Sequence, residues 1–280
     1  MSGSPSLLET IEQAITSGSV ALPARNQTAQ QLQGILGRED YDIQEILDII
    51  EADQALTTEV LRVANSPFYG GLAEITTVRN AVVRVGGPEV VRLAIAATEK
   101  TNYEVRDAQL ATLMAPLWDH AMGTALASRW LARRLGFRDL ESEAFIGGLL
   151  HDVGKLLIVR VIDDLATAGE LTEHPPAGVV HEILRAAHCA HGATLLDHWS
   201  LPEIYRQVVR RHHDESLDDK DALLLMVRLA NKACNSLGIG LSHDASLTLA
   251  ATEEAHALDA REIMLAELSI MLEDSFALVD

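Results

Sequence analysis

Apolar residues through the first hundred positions recur at three- and four-residue spacing, and no alternating pattern competes with them. A chain patterned in this way buries its apolar stripes by packing helix on helix. Leu7, Leu8, Ile11, Ala14 and Ile15 form one stripe. After the turn "LPARN", the stretch "TAQQLQGILG" predicts a second helix that stops at Gly37. Ile43, Ile46, Leu47 and Ile50 predict a third. Asp53 is the expected N-cap of a fourth, with Leu56, Val60, Leu61 and Ala64 facing inward. "NSPFYGG" should end that helix, because Asn65 tolerates a left-handed conformation and Pro67 cannot continue it. Two more helices follow, parted by Gly86-Gly87-Pro88. Aromatic residues are only 4% of the chain while hydrophobic ones are 48%, so the core must be mostly Leu, Ile, Val and Ala.

The pattern continues through the second half. "PLWDHAMGTALASRWLARRLG" predicts a long helix burying Leu117, Ala121, Thr124, Ala125, Ala127, Ser128 and Leu131. "ESEAFIGGLLHDVGKLLIVRV" reads as the next helix, followed by "PPAGVVHEILRAAHCAHGATLLDHW", "LPEIYRQVVRRHH" and "DALLLMVRLANKACNSLG". The expected division is a first lobe at 1–105, a second at 106–240 and an acidic helical tail at 241–280.

The net charge of −19 argues against a nucleic-acid surface, which needs clustered Lys and Arg. The pairs Arg133-Arg134 and Arg210-Arg211 read as solvated helix faces rather than a phosphate grip. Cys189 and Cys234 have no disulfide or zinc spacing and are expected to be small core residues. The opening "MSGSPSLLETIEQA" has neither the basic nor the apolar region of a secretory leader, and no apolar run reaches membrane-spanning length. These features predict a soluble, cytoplasmic protein with no membrane partner.

One stretch departs from plain helix packing. In "GLLHDVGK" an apolar run carries His151 and Asp152 side by side. A carboxylate there is costly to bury unless a metal ion, a salt bridge or a hydrogen-bonded imidazole pairs with it. Seven of the eleven histidines fall between His174 and His213. On a helix, His181 and His188 share one line, and His191 and His198 share another about 80° away. His174, His243 and His256 have no ligand-like company. The pair His212-His213 can reach one site if its helix ends there, as the polar run beginning at Asp214 predicts. Histidine and carboxylate donors together suit iron, manganese, cobalt or zinc. A two-metal centre of such donors could hydrolyse a phosphate ester.

His120, then His151-Asp152, then later histidines and a carboxylate resemble the HD superfamily of metal-dependent phosphohydrolases. The chain resembles more specifically the HDOD domain, the HD-related output domain of bacterial signalling proteins. The resemblance spans roughly 20–235. It rests on "LPARN", "IIEADQALTTEVLRVANSPFYG", "AVVRVGGPEVVRL", "LWDHAMGTALA", "AFIGGLLHDVGKLLI", "HCAHGATLLDHWSLP" and "VVRRHH" in that order. It implies an all-α helical bundle of the HD-domain type with an N-terminal helical lobe. The related HD-GYP phosphodiesterases hydrolyse cyclic di-GMP with two or three metals. Carried over by position, their ligands fall on His120, His151, Asp152, His188, His212 and His213. His188 is taken over His191 because it stands four residues before Gly192. Asp152 would bridge one or two divalent ions (iron, manganese, zinc or cobalt), and Lys155 would bind a phosphate oxygen.

Two departures bear on activity. Where such enzymes supply a last aspartate, "VRLANKA" supplies Asn231, a weaker ligand, and "DESLDDKDA" stands where the Gly-Tyr-Pro motif would be. The favoured reading is therefore a regulatory, non-catalytic signalling module acting through protein partners or a sensed nucleotide or phosphate ligand. The other is a phosphohydrolase in which Asp152 and Lys155 are catalytic.

Overall fold

The computed structural model describes residues 5–38, 40–66, 69, 74–171, 173–216 and 220–276. Among these the chain is all-helical, with fourteen α-helices and no strand. The first six are α1 (Leu7–Ser17), α2 (Gln27–Leu36), α3 (Ile43–Glu51), α4 (Gln54–Ala64), α5 (Val78–Val85) and α6 (Gly87–Lys100). Then come α7 (Ala108–Arg134), α8 (Glu141–Leu150), α9 (Val153–Ala168), α10 (Ala177–His198), α11 (Glu203–Arg211) and α12 (Ala222–Ser236). The chain closes on α13 (Glu253–Ala257) and α14 (Glu262–Phe276). No helix among the described residues is long and apolar enough to cross a membrane.

Most boundaries have a local cause. Asp53 caps α4 as its sequence predicts, accepting from the amides of Ala55 and Leu56 at 2.8 and 3.1 Å. Gly37 ends α2. Asn65 ends α4 differently from the expectation: its φ is −92°, in the right-handed region. Its side chain does the work instead. The Asn65 amide donates to the carbonyls of Leu61 and Ile75, and the Ile75 amide donates back to Asn65 Oδ1 at 2.7 Å. The expected terminator Pro67 and part of the polar run after Asp214 lie outside the described residues.

Two expected helices differ. The long helix begins at Ala108 rather than at Pro116, capped by Asp107. Proline removes one backbone hydrogen bond, but Leu110 and Met114 bury the turns before it and hold the helix on. "ESEAFIGGLLHDVGKLLIVRV" is two helices, not one. The chain breaks at His151 and Asp152, where Asp152 takes φ −106° and ψ 12°.

α6 is buried on almost every side, between α2, α4 and α5. Its Glu89 is held at 2.9 Å by both Arg92 and Arg129 of α7, and Arg92 reaches Ser142 of α8 at 3.1 Å. α7 also packs along α8 and α12, and a second apolar cluster joins α7, α12 and α14 through Leu131, Met226, Leu229, Leu268 and Leu272. Glu254 of α13 is fully buried and held there by Arg228 and Lys232 of α12. Arg134 pairs with Glu267, and Arg210 with Glu203 and Asp197, so these basic residues face acids on the surface.

The approach that matters most for the site is glycine-lined. A Cβ on Gly154 of α9 would overlap the carbonyl oxygen of His188 on α10. Gly192 faces it, and a Cβ there would stand 3.1 Å from the Gly154 amide nitrogen. A Cβ on Gly148 would stand 2.7 Å from the carbonyl oxygen of Thr124, so α8 also crosses α7 closely. Overpacking a close-packed contact costs up to about 3 kcal/mol. Gly154→Ala should therefore lower unfolding free energy by about 3 kcal/mol in urea melts. Gly178→Ala on α10, with nothing within 4 Å, should stay within about 1 kcal/mol of the parent. Equal effects would refute the close-contact reading.

Candidate metal centre

The break between α8 and α9 and the crossings at Gly148 and Gly154 bring six helices' worth of side chains to one point. His120 comes from the middle of α7. His151 closes α8 and Asp152 opens α9. His188 comes from α10. His212 caps the end of α11, so that His213 follows it outside the helix and turns toward the same place. Asn231 comes from α12. All except His213 are buried.

Each buried histidine is fixed by a backbone carbonyl. Nδ1 of His120 faces Ile239 O at 2.9 Å, that of His151 faces Gly148 O at 2.7 Å, that of His188 faces Leu184 O at 2.7 Å, and that of His212 faces Val209 O at 2.9 Å. A carbonyl only accepts, so Nδ1 carries the proton in all four rings and each Nε2 presents a lone pair. Those lone pairs converge on Asp152. His188 and His212 Nε2 lie 3.2 and 3.4 Å from Oδ1, and His151 and His120 Nε2 lie 3.4 and 3.6 Å from Oδ2.

The two sides of the carboxylate are not equivalent. On the Oδ2 side, Lys155 Nζ sits at 2.5 Å. Asn231 stands beside His120 and works against the burial that lowers it, and Asn231 Oδ1 accepts from the Asn235 amide at 3.0 Å. On the Oδ1 side, His188 Nε2 and His212 Nε2 stand 3.2 Å apart. Asp152 Oδ1 itself has no hydrogen bond, and neither has His151 Nε2. Burial pushes His188 down to about 4, so at neutral pH its ring carries no second proton to share. Two ring nitrogens and a carboxylate oxygen thus face one another at 3.2 to 3.4 Å.

That arrangement fits a cation. Bonds of about 2.1 Å meeting at octahedral or tetrahedral angles hold ligand atoms roughly 3.0 to 3.4 Å apart. The His188–His212–Asp152 Oδ1 triangle has edges of 3.2, 3.2 and 3.4 Å. His213 completes the set on the solvent side: its ring lies 4.2 Å from that of His212, and its donor atom joins the other three within 4.8 Å. His120, His151 and Asp152 form a second group, their donor atoms also within 4.8 Å of one another. Carbonyl-anchored imidazoles around a carboxylate are the usual second support of such ligands.

The electrostatics follow. Burial alone would raise the Asp152 carboxyl, but Lys155 and the surrounding histidines hold it well below the usual range. Burial lowers His120 and lowers His151 far, against the opposing pull of Asp152. His213, packed by its neighbours although its ring reaches solvent, is pushed to about 3 by burial and His212.

Other histidines stay apart. His181 and His198 are exposed, and His191 is buried away from the cluster. His174 pairs with Asp107 at 2.7 Å. Cys234 is a core residue as expected, but Cys189 is half-buried with Sγ 3.4 Å from His188 Nε2, at the rim of the centre. The turn that holds His120 was also invisible in the sequence. Gly240 takes φ +119°, and a Cβ on it would lie 2.8 Å from His120 Cβ. A glycine shortly after an apolar helix was its one sequence signal.

A sequence profile described as the HDOD domain matches residues 22–215. An uncharacterized protein of Treponema pallidum (strain Nichols) is 25% identical over 207 residues, 72% of this chain. The chain spans only 40% of that relative's length. Among solved structures, an HDOD domain protein with unknown function from Geobacter sulfurreducens superposes with a TM-score of 0.74 at 22% identity, covering 96% of this chain and 98% of its own. A protein of Shewanella amazonensis SB2B, named as a candidate metal-dependent phosphohydrolase, gives 0.70 at 18% identity, covering 96% and 98%. One from Marinobacter aquaeolei VT8, named as a candidate signal transduction protein, gives 0.62 at 22%, covering 99% and 61%. These likenesses establish the fold.

The lowered histidines make the metal-free protein acid-sensitive. His188 binds its proton near pH 6.5 when unfolded but only near 4 when folded. Between those values the unfolded state holds more protons, so stability falls as pH falls. From pH 6.5 to 5.0 His188 alone should remove about 1.5 kcal/mol. Urea melts at the two pH values check this in chelated protein, and His188→Gln should flatten the difference. Pure pH-independence in the parent would refute it.

Proposed function

The chain belongs to the HDOD domain family, and from that premise we propose that it is a signalling module, regulatory rather than catalytic, whose buried His/Asp cluster holds one divalent metal ion. The observation that carries the proposal is the triangle of His188 Nε2, His212 Nε2 and Asp152 Oδ1, whose carboxylate oxygen has no hydrogen bond. His188, His212, His213 and Asp152 would hold the ion. When bound, it supplies positive charge to a dry pocket and acidifies any water or oxygen ligand that reaches it.

The chain's own residues favour occupancy of one side only. Lys155 already neutralises Oδ2, and the residue beside His120 is the neutral Asn231. A second ion would have to displace the ammonium group. Asn231 would then offer a neutral ligand in place of an anionic one. Hydrolysis by paired metals needs both positions, so this asymmetry supports a structural or sensing role. The ion would tie the α8–α9 break to α10 and α11. Its gain or loss would shift the arrangement of those helices, which a partner protein or a sensed nucleotide or phosphate could read. The likeness to a candidate signal transduction protein agrees with that role.

A second reading, a metal-dependent phosphohydrolase, is favoured by the second donor group of His120, His151 and Asp152. In it Asp152 would bridge two ions and Lys155 would move to a phosphate oxygen.

Protein purified without a chelator or a His tag should carry close to one equivalent of iron, manganese, zinc or cobalt by mass spectrometry. Ligand at 100 times its dissociation constant adds about 2.7 kcal/mol to the folded state, so chelation should lower the melting temperature. His188→Ala should abolish that metal response, and His120→Ala should keep most of it. A metal-free protein whose melt ignores added metal would sink the proposal. Asn231→Asp combined with Lys155→Ala should raise the content toward two equivalents. Two equivalents in the parent, with turnover of a cyclic dinucleotide, would decide for the second reading.

A further inference from the structure

α4, α6, α7 and the end of α14 enclose a second cavity, of about 420 Å³, which shares no lining residue with the metal centre. Asp119 lines it while His120, the next residue on α7, serves the centre. Successive helical residues point about 100° apart, so one helix can serve both. The volume falls within the range of small-molecule sites.

Its inner surface is apolar, with Leu93, Met114 and Met122 buried beneath it. One wall is aromatic: Tyr103 and Trp118 meet edge to face with ring centres 5.3 Å apart. Methionine and aromatic surfaces adapt to a flat apolar body.

The charges select what such a body carries. Arg62 and Lys100 both reach into the lining, but Glu59 Oε1 engages them at 2.6 and 2.9 Å. An anion would have to break an ion pair to use either. Asp119 stands differently. Among the described residues its carboxylate has no hydrogen bond and no ion pair within 4.0 Å; Lys100 and Arg62 act on it only from farther off, against the burial that raises it, and the Tyr103 hydroxyl has no hydrogen bond. Glu104 adds a further acid to the lining, so three acids face two bases. The chain as a whole carries −19, which favours the approach of cations.

We propose that this cavity binds a small amphipathic organic amine, its apolar body on the methionine floor and its protonated nitrogen on Asp119. The nitrogen would also lie against the rings of Trp118 and Tyr103, where a cation is attracted by the aromatic face. The proposal stands independently of metal binding.

Fluorine NMR on the full chain tests it, with para-fluorophenethylamine as probe and para-fluorophenylacetate as the anionic counterpart of like body. The amine should bind saturably and the acetate should not. Asp119→Asn should weaken the amine about tenfold, the scale of one lost charge-assisted hydrogen bond. Ala115→Trp, at an exposed α7 position on the cavity lining, should block it without disturbing the core. Failure of the amine to saturate, equal binding of the two probes, or an affinity unmoved by both substitutions would overturn the proposal.

Discussion

The fold is organised around one buried carboxylate. Asp152 sits where a helix breaks, is almost wholly removed from water, and remains ionised because Lys155 and the imidazoles face it. An isolated charge in such a place would cost several kcal/mol. Much of the second half of the chain can be understood as the means of avoiding that cost. α7, α8, α10 and α11 each bring an imidazole to within hydrogen-bonding or coordination range of the same two oxygens.

Bringing them there is a matter of backbone distance. Side chains as short as histidine and aspartate converge only if their helices nearly touch. Gly148 lets α8 meet α7, and Gly154 with Gly192 lets α9 meet α10. The glycines of "GLLHDVGK" therefore flank His151-Asp152 for a geometric reason: they remove the side chains that would hold the neighbouring helices away. The same logic applies at Gly240, whose turn lets the Ile239 carbonyl orient His120.

Local features were legible in the sequence and distant ones were not. Helix periodicity, the Asp53 cap and the ending of α11 at the His212-His213 pair are all encoded within a turn or two of chain. The site residues could be named through family resemblance and spacing, and the fold brings those residues together. The break at Asp152 was not legible, because an apolar run around it satisfies helical periodicity equally well. Nor was the role of Cys189, since its neighbour His188 decides it and a small apolar thiol looks like core. The Lys155–Asp152 pair is only three residues apart. Yet nothing local says whether that lysine turns inward to the carboxylate or outward to a substrate; the burial of Asp152 decides.

The unequal halves of the cluster connect the geometry to function. A carboxylate that bridges two ions must have both oxygens free, and here one is already occupied by an ammonium group. On the same half the residue beside His120 is Asn231, which carries no charge. The other half keeps two fixed lone pairs, an unpartnered oxygen and a histidine open to solvent. On the proposed reading such a centre would hold one ion while the protein itself fills the second position, the chemistry of a switch or a staple more than of a two-metal hydrolase.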